Sequence, residues 1–164
     1  MCFFPKDKWQ KFEPTQNYID VVSKLDTIEK LHDYMIKNIR YVSDEKDYWQ
    51  VPEETLIRCA GDCEDFARFA IDVLVRVQKI DNVRWIFYVG YYRVNGKNIR
   101  KGHAVCVFPE DEHYNVFSND SLLKCFDNYV DIGHDFYPFG LKRMEIRNWQ
   151  GKMIDLRVNY LGTF

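Results

Sequence analysis

Residues 61–79 read GDCEDFARFAIDVLVRVQK. Gly61 is a breaker, Asp62 can cap a helix that follows it, and Asp65 stands at that helix's third position. Phe66, Ala70, Val73, Leu74 and Val77 then recur at helical spacing, which predicts a helix to about Lys79 with one buried stripe. Cys63 falls in its first turn, where unpaired N–H groups and the positive end of the helix dipole favour thiolate over thiol. The carboxylates of Asp62, Glu64 and Asp65 oppose that ionisation unless they point away or hold a cation, and capping gives Asp62 and Asp65 such an occupation. Packing of a small buried residue beneath the helix start is the plainer account of the same cysteine.

Upstream, Asp26-Thr27-Ile28-Glu29 reads as a capping box, with Ile28, Leu31, Met35, Ile36 and Ile39 at helical spacing behind it. The segment from Tyr41 to Gln50 reads as a loop, after which Pro52 can open a short helix through Leu56. Downstream the period changes. Val83 to Tyr92 is β-branched and aromatic, Val94-Asn95-Gly96-Lys97 supplies a hairpin turn, and Ile99 to Phe108 forms the return strand. Tyr114 to Ser118 follows as a third strand, and Arg143–Trp149 and Met153–Val158 can form two more around Gln150-Gly151. Helices first and an antiparallel sheet after them make an α+β domain.

One domain accounts for all 164 residues, with residues 1–16 as an aromatic arm laid over it. Hydrophobic residues at 46% and charged residues at 29% exclude a disordered chain. The 23 basic and 25 acidic side chains are well mixed, so no basic stripe is available for a phosphate backbone and nucleic acid is not an implied partner. Charged residues interrupt every apolar run, which argues against a membrane span. Five cysteines (Cys2, Cys59, Cys63, Cys106 and Cys125) form no disulfide framework, and no basic and apolar leader follows Met1. A cytoplasmic protein is the expectation, with the periplasm reached only by another export route.

His103 lies within the return strand, where alternation puts it on one face with Val105 and Val107 while Ala104 and Cys106 face the other way. An imidazole on an apolar face needs a partner, and a backbone carbonyl could serve. His32, His113 and His134 fall in a helix, a charged turn and a loop. A cysteine at a helix start and a histidine on a strand is an arrangement in which the base draws the thiol proton and returns it to a leaving group. A third group must orient the imidazole, and Ser118-Asn119-Asp120 closes the strand after His103. Asn119 and Asp120 are both competent; ordinary turn chemistry explains them equally well.

These residues resemble the transglutaminase-like superfamily, and within it the bacterial transglutaminase-like cysteine proteinases. The resemblance runs from Tyr41 to about Leu123 and is carried by Asp47-Tyr48-Trp49, Pro52-Glu53-Glu54-Thr55-Leu56, Gly61-Asp62-Cys63-Glu64-Asp65-Phe66-Ala67 and Gly102-His103-Ala104-Val105. It implies a papain/transglutaminase-like fold, with N-terminal helices packed on an antiparallel sheet and the nucleophile at a helix N-terminus. It also implies a Cys-His-Asp triad of Cys63, His103 and either Asp120 or Asn119; the family places Asp before Asn here, so the register is open. The Cys63 N–H would stabilise the oxyanion, with the Trp49 indole or the Gln50 amide as second donor.

Some family members bind calcium through carboxylates matching Asp62, Glu64 and Asp65, so calcium is an optional ligand and no cofactor is required. Zinc through Cys59, Cys63 and His103 lacks a second matched pair. The expected reaction is cysteine-dependent hydrolysis of a peptide or other amide bond in a peptide or protein substrate. Acyl transfer to an amine, a catalytically silent peptide-binding module, and an accessory protein docking through Phe3 to Trp9 are the alternatives.

Overall fold

In this computed structural model, which describes residues 9–43 and 48–158, Thr15 opens α1 (Gln16–Val22) by accepting from the Tyr18 N–H. The sequence reading has no helix before Asp26. Helix α1 buries Tyr18 and Val22 alone, a single i,i+4 pair that is too short to register as a period. Helix α2 (Ile28–Asn38) begins one residue later than the expected capping box, because Thr27 accepts from the Lys30 N–H. Asp26 instead takes the Lys30 ammonium at 2.5 Å. Leu31 and Met35 are buried, but Ile36 is exposed, so the stripe is narrower than the sequence implies.

The chain then forms β1 (Arg40–Tyr41), α3 (Pro52–Arg58) and β2 (Ala60–Gly61). Strands β1 and β2 pair in parallel, Arg40 with Ala60 and Tyr41 with Gly61. Asp47, one of the residues carrying the resemblance, lies outside the described residues. So does half of the arm, residues 1–8; Trp9, at its described end, packs edge-on against Trp85 at 6.0 Å. Helix α4 (Cys63–Arg76) follows the sequence reading closely.

Strands β3 (Arg84–Val94) and β4 (Lys97–Glu110) form the expected hairpin. Its turn has positive φ at both Asn95 and Gly96, the conformation an Asn-Gly pair adopts most easily. After them come β5 (His113–Ser118), β6 (Ser121–Phe126), α5 (Tyr129–Phe136), β7 (Leu141–Asn148) and β8 (Met153–Val158). The six-stranded sheet runs β6-β5-β4-β3-β7-β8, and each neighbouring pair is antiparallel.

The sheet separates two cores. On one face Phe66, Phe69, Val73 and Leu74 of α4 pack on Trp85, Phe87, Ala104 and Cys106. On the other, Ile132 of α5 packs with Ile86, Tyr88, Val105 and Val107. The alternation read for the return strand is thus the one observed. Removing the ring of fully buried Phe69 should cost about 3–5 kcal/mol.

Neither β6 nor α5 is visible in the sequence pattern. Strand β6 contains Lys124 and a left-handed Cys125 (φ 69), which interrupt alternation. Helix α5 carries Gly133 in its middle, a poor helix former. The glycine is there for space, since a Cβ would lie 2.7 Å from Leu141 and 2.9 Å from Tyr88.

Candidate active site

Helix α4 starts on a reciprocal cap in which Asp62 receives the third-position N–H and Asp65 receives the Asp62 N–H at 3.2 Å. The second Asp65 oxygen accepts from the Gln50 N–H at 2.8 Å. Arg68, one turn further on, donates to the Gln50 carbonyl at 2.6 Å. Both hydrogen-bonding groups of Gln50's backbone are therefore spent on α4. Gly61 leaves room for this, because a Cβ there would come within 2.6 Å of the Asp65 Cβ.

This frame sets the thiol of Cys63 against β4. The Ala104 N–H points to the sulfur, which favours thiolate, but burial dominates and pushes the thiol well above its ordinary range, with the Glu64 carboxylate adding to the rise. The thiol donates to Glu64 Oε2 at 3.1 Å. Burial also raises the Glu64 pKa, while its hydrogen bonds from Cys63 and with Asp62 oppose that rise. At rest the Cys63 side chain is a protonated thiol.

His103 lies on β4, and its ring meets the edge of Phe136 at 5.0 Å. Its Nε2 is 2.8 Å from the Ser118 hydroxyl. Burial, then the charge of Lys101, lowers its pKa to about 4, so the imidazole is neutral near pH 7. Asn119 has φ 51 and a buried Oδ1 without a hydrogen-bond partner. Asp120 is exposed, and its backbone carbonyl lies 3.0 Å from His32 Nε2.

Cys63, His103 and Asn119 line one cavity of about 430 Å³, with Tyr41, Tyr92, Lys101, Gly102, Phe136 and Tyr137. Asp120, Trp49 and Gln50 are not among its lining residues. Cys63 and His103 share the cavity without a hydrogen bond between them: the thiol proton is turned to Glu64 and the imidazole Nε2 to Ser118. Alternation explains this, because the imidazole leaves β4 on the face of Val105 while α4 packs on the face of Ala104.

Trp49 is buried against Trp85 with ring centroids 5.4 Å apart, and the side-chain oxygen of Gln50 is buried without a partner. A larger cavity of about 460 Å³ lies beneath Trp9 and Phe12 and is lined by no cysteine or histidine. Among the described residues no group of three or more His, Cys, Asp or Glu side chains is arranged to hold a metal ion. The three acids divide: Asp62 and Glu64 face each other, and Asp65 faces backbone N–H groups.

Sequence reasoning missed Ser118 as the group touching His103. The signal was available, since Val116 and Ser118 lie two residues apart on a strand that pairs with β4, on the face His103 shares. It also missed Tyr41, which the short β1–β2 pairing brings to the cavity, and Tyr137, which follows the unanticipated α5.

The transglutaminase-like domain family matches residues 11–148, and the chain belongs to that family. No curated protein matches it. Among solved structures it is similar to LapG of Legionella pneumophila, at 23% identity over 80% of this chain and 71% of that one, with a TM-score of 0.51. EGTA-treated LapG gives 22% identity over 85% and 77%, with a TM-score of 0.50. Calcium-bound LapG gives 28% identity over 66% of this chain and 63% of that one, with a TM-score of 0.47, so this chain spans less than two thirds of that protein. The likeness bears out the α+β transglutaminase-like fold. No helix among the described residues is long and apolar enough to cross a membrane.

Proposed function

We propose that this chain is a cysteine-dependent hydrolase that cleaves a peptide or other amide bond through a thioester on Cys63. The observation that carries the reading is that Cys63, at the start of α4, lines one cavity with His103 of β4 and Asn119. In the tautomer whose Nε2 donates to Ser118, Nδ1 is the imidazole nitrogen left to act as base. On substrate binding, His103 takes the thiol proton as the sulfur attacks the carbonyl carbon, and the Cys63 N–H holds the oxyanion; Trp49 and Gln50, expected as second donors, lie outside the cavity lining. The tetrahedral intermediate expels the amine, which leaves with the proton from His103. Water then attacks the thioester with His103 as base, releasing the acid and restoring the thiol.

Ser118 orients the imidazole, and Asn119, with its unspent Oδ1 in the cavity, is a better third member than Asp120, which does not line it. The resting hydrogen bonds must exchange for this chemistry; catalytic contacts commonly tighten only around substrate. Calcium, suggested by the calcium-bound and EGTA-treated LapG structures, would be held through the facing carboxylates of Asp62 and Glu64. Its role would be to neutralise them, and no other cofactor is invoked. The described cysteines are free, which suits a reducing compartment such as the cytoplasm.

The protonated thiol and neutral imidazole, with no bond between them, also favour a second reading, a peptide-binding module that has given up catalysis. The alkylation rate of each cysteine by iodoacetamide from pH 5 to 9, read by mass spectrometry in wild type and His103→Ala, separates the two. Faster labelling of Cys63 than of exposed Cys59, lost with His103, supports the enzyme. Labelling of Cys63 no faster than Cys59, and indifferent to His103, supports the binding module.

A further inference from the structure

The cavity that holds Cys63 and His103 is uneven in charge. The carboxylates around it belong to the Cys63 end, where the thiol donates to Glu64 at 3.1 Å and Asp62 faces Glu64. At the His103 end stands Lys101, two residues earlier on β4 and therefore on the same face of the strand, about 7 Å along it. Among the described lining residues Lys101 carries the only fixed charge, since the imidazole is neutral near pH 7. Its ammonium has no ion pair or hydrogen bond among the described residues, and its charge is felt in the site, where it disfavours protonation of His103. Gly90 pairs opposite Lys101, and a Cβ there would lie 2.4 Å from the Tyr137 ring. The missing side chain lets Tyr137 wall the cavity beside Lys101, with Tyr41, Tyr92 and Phe136 completing the aromatic lining. Apolar walls around a single sign of charge concentrate its field.

We propose that Lys101 is the specificity residue for a carboxylate on the half of the substrate that departs as the amine, supplied by an Asp or Glu side chain just after the scissile bond or by the free carboxyl terminus of a leaving amino acid. The side is set by the chemistry. His103 delivers its proton to the departing nitrogen, so a group beside His103 on the same strand face addresses the departing half. The acyl half stays on Cys63 beside Glu64 and Asp62, where a further carboxylate would be repelled. Placement on the leaving half rests on the hydrolase reading above; recognition of a carboxylate by Lys101 does not. Exchanging an acidic for a basic side chain at that position turns an attraction into a repulsion of like size, a difference of about tenfold in kcat/KM.

A randomised peptide mixture, made with free and with amidated carboxyl termini, tests this on the full chain, with cleavage read by mass spectrometry and retention read on immobilised Cys63→Ala. Wild type should favour Asp or Glu over Lys or Arg at the new amino terminus by about tenfold. Where the carboxyl terminus is the source, release of single terminal residues should instead be lost on amidation. Either pattern should fade in Lys101→Gln, and the side-chain preference should reverse toward Lys and Arg in Lys101→Glu. Lys101 is exposed, so these changes spare the core. Acid-selective retention without cleavage, lost when Lys101→Glu is added, would end the hydrolase reading and keep the carboxylate site. Cleavage indifferent to charge, or a preference that Lys101→Glu leaves in place, overturns the proposal and keeps the hydrolase. Neither cleavage nor acid-selective retention overturns both.

Discussion

Cys63 and Asn119 enter the same cavity from regions held in unlike ways. The start of α4 is held by a reciprocal cap, by the two backbone groups of Gln50, and by a helix face buried from Phe66 to Leu74. The Ser118–Ser121 turn closes β5 onto β6 through two residues, one of them left-handed, with side-chain ties from His32 to the Asp120 carbonyl and from His103 to the Ser118 hydroxyl. The first region has several independent reasons to be where it is, and the second rests on strand parity. Change at the helix start should therefore be felt in stability and chemistry together, and change at the turn in chemistry alone.

The largest expected effect is on the chemistry of the helix start. Cys63→Ser should lower the rate of amide hydrolysis by about a thousandfold or more, whereas Cys59→Ser, at an exposed helix end, should leave turnover unchanged in the same assay. Asp65→Ala strips acceptors from two buried N–H groups and should cost about 2–3 kcal/mol in urea unfolding. Asp120→Ala should change the same measurement by less than about 0.5 kcal/mol; parity between the two would break the comparison.

His103 links both regions through pH. Its folded pKa of about 4 lies below the ordinary 6.5, so between those values the unfolded chain takes up a proton that the folded chain refuses. Stability should fall as pH drops through this window, by an amount on the order of 3 kcal/mol. In His103→Gln that component of the urea-midpoint profile should vanish. The smallest effect belongs to the turn. Ser118→Ala should lower kcat by about tenfold with KM little changed, through loss of imidazole orientation, and Asn119→Ala should exceed Asp120→Ala in the same assay. A greater loss in Asp120→Ala would restore it as the third member.

Much of this arrangement was legible in the sequence where local signals agree. Residues 61–74 combine a breaker, a cap and a helical period, and β3–β4 combine an Asn-Gly turn with two aromatic, β-branched runs, so both were located from pattern alone. The turn at Ser118-Asn119-Asp120 offers only residue types that suit any turn. Which of the three reaches His103 depends on where β5 begins to count, and that is set by pairing with β4, a contact distant in sequence. Helix α5 escaped for a related reason. Its glycine is a local fault that is explained only by the packing of Tyr88 and Leu141 against it.

The brief pairing of β1 with β2 gives the molecule a built-in reporter. The amide of Arg40 is bonded to the Cys59 carbonyl and that of Val42 to the Gly61 carbonyl, each at 2.9 Å. These two bonds bracket the segment that leads into Cys63. Deuterium uptake at the two amides therefore records how often that segment parts from its neighbour. Slow exchange there would describe a thiol held on a closed backbone, and faster exchange than in α4 itself would describe one whose approach opens while the helix stays intact.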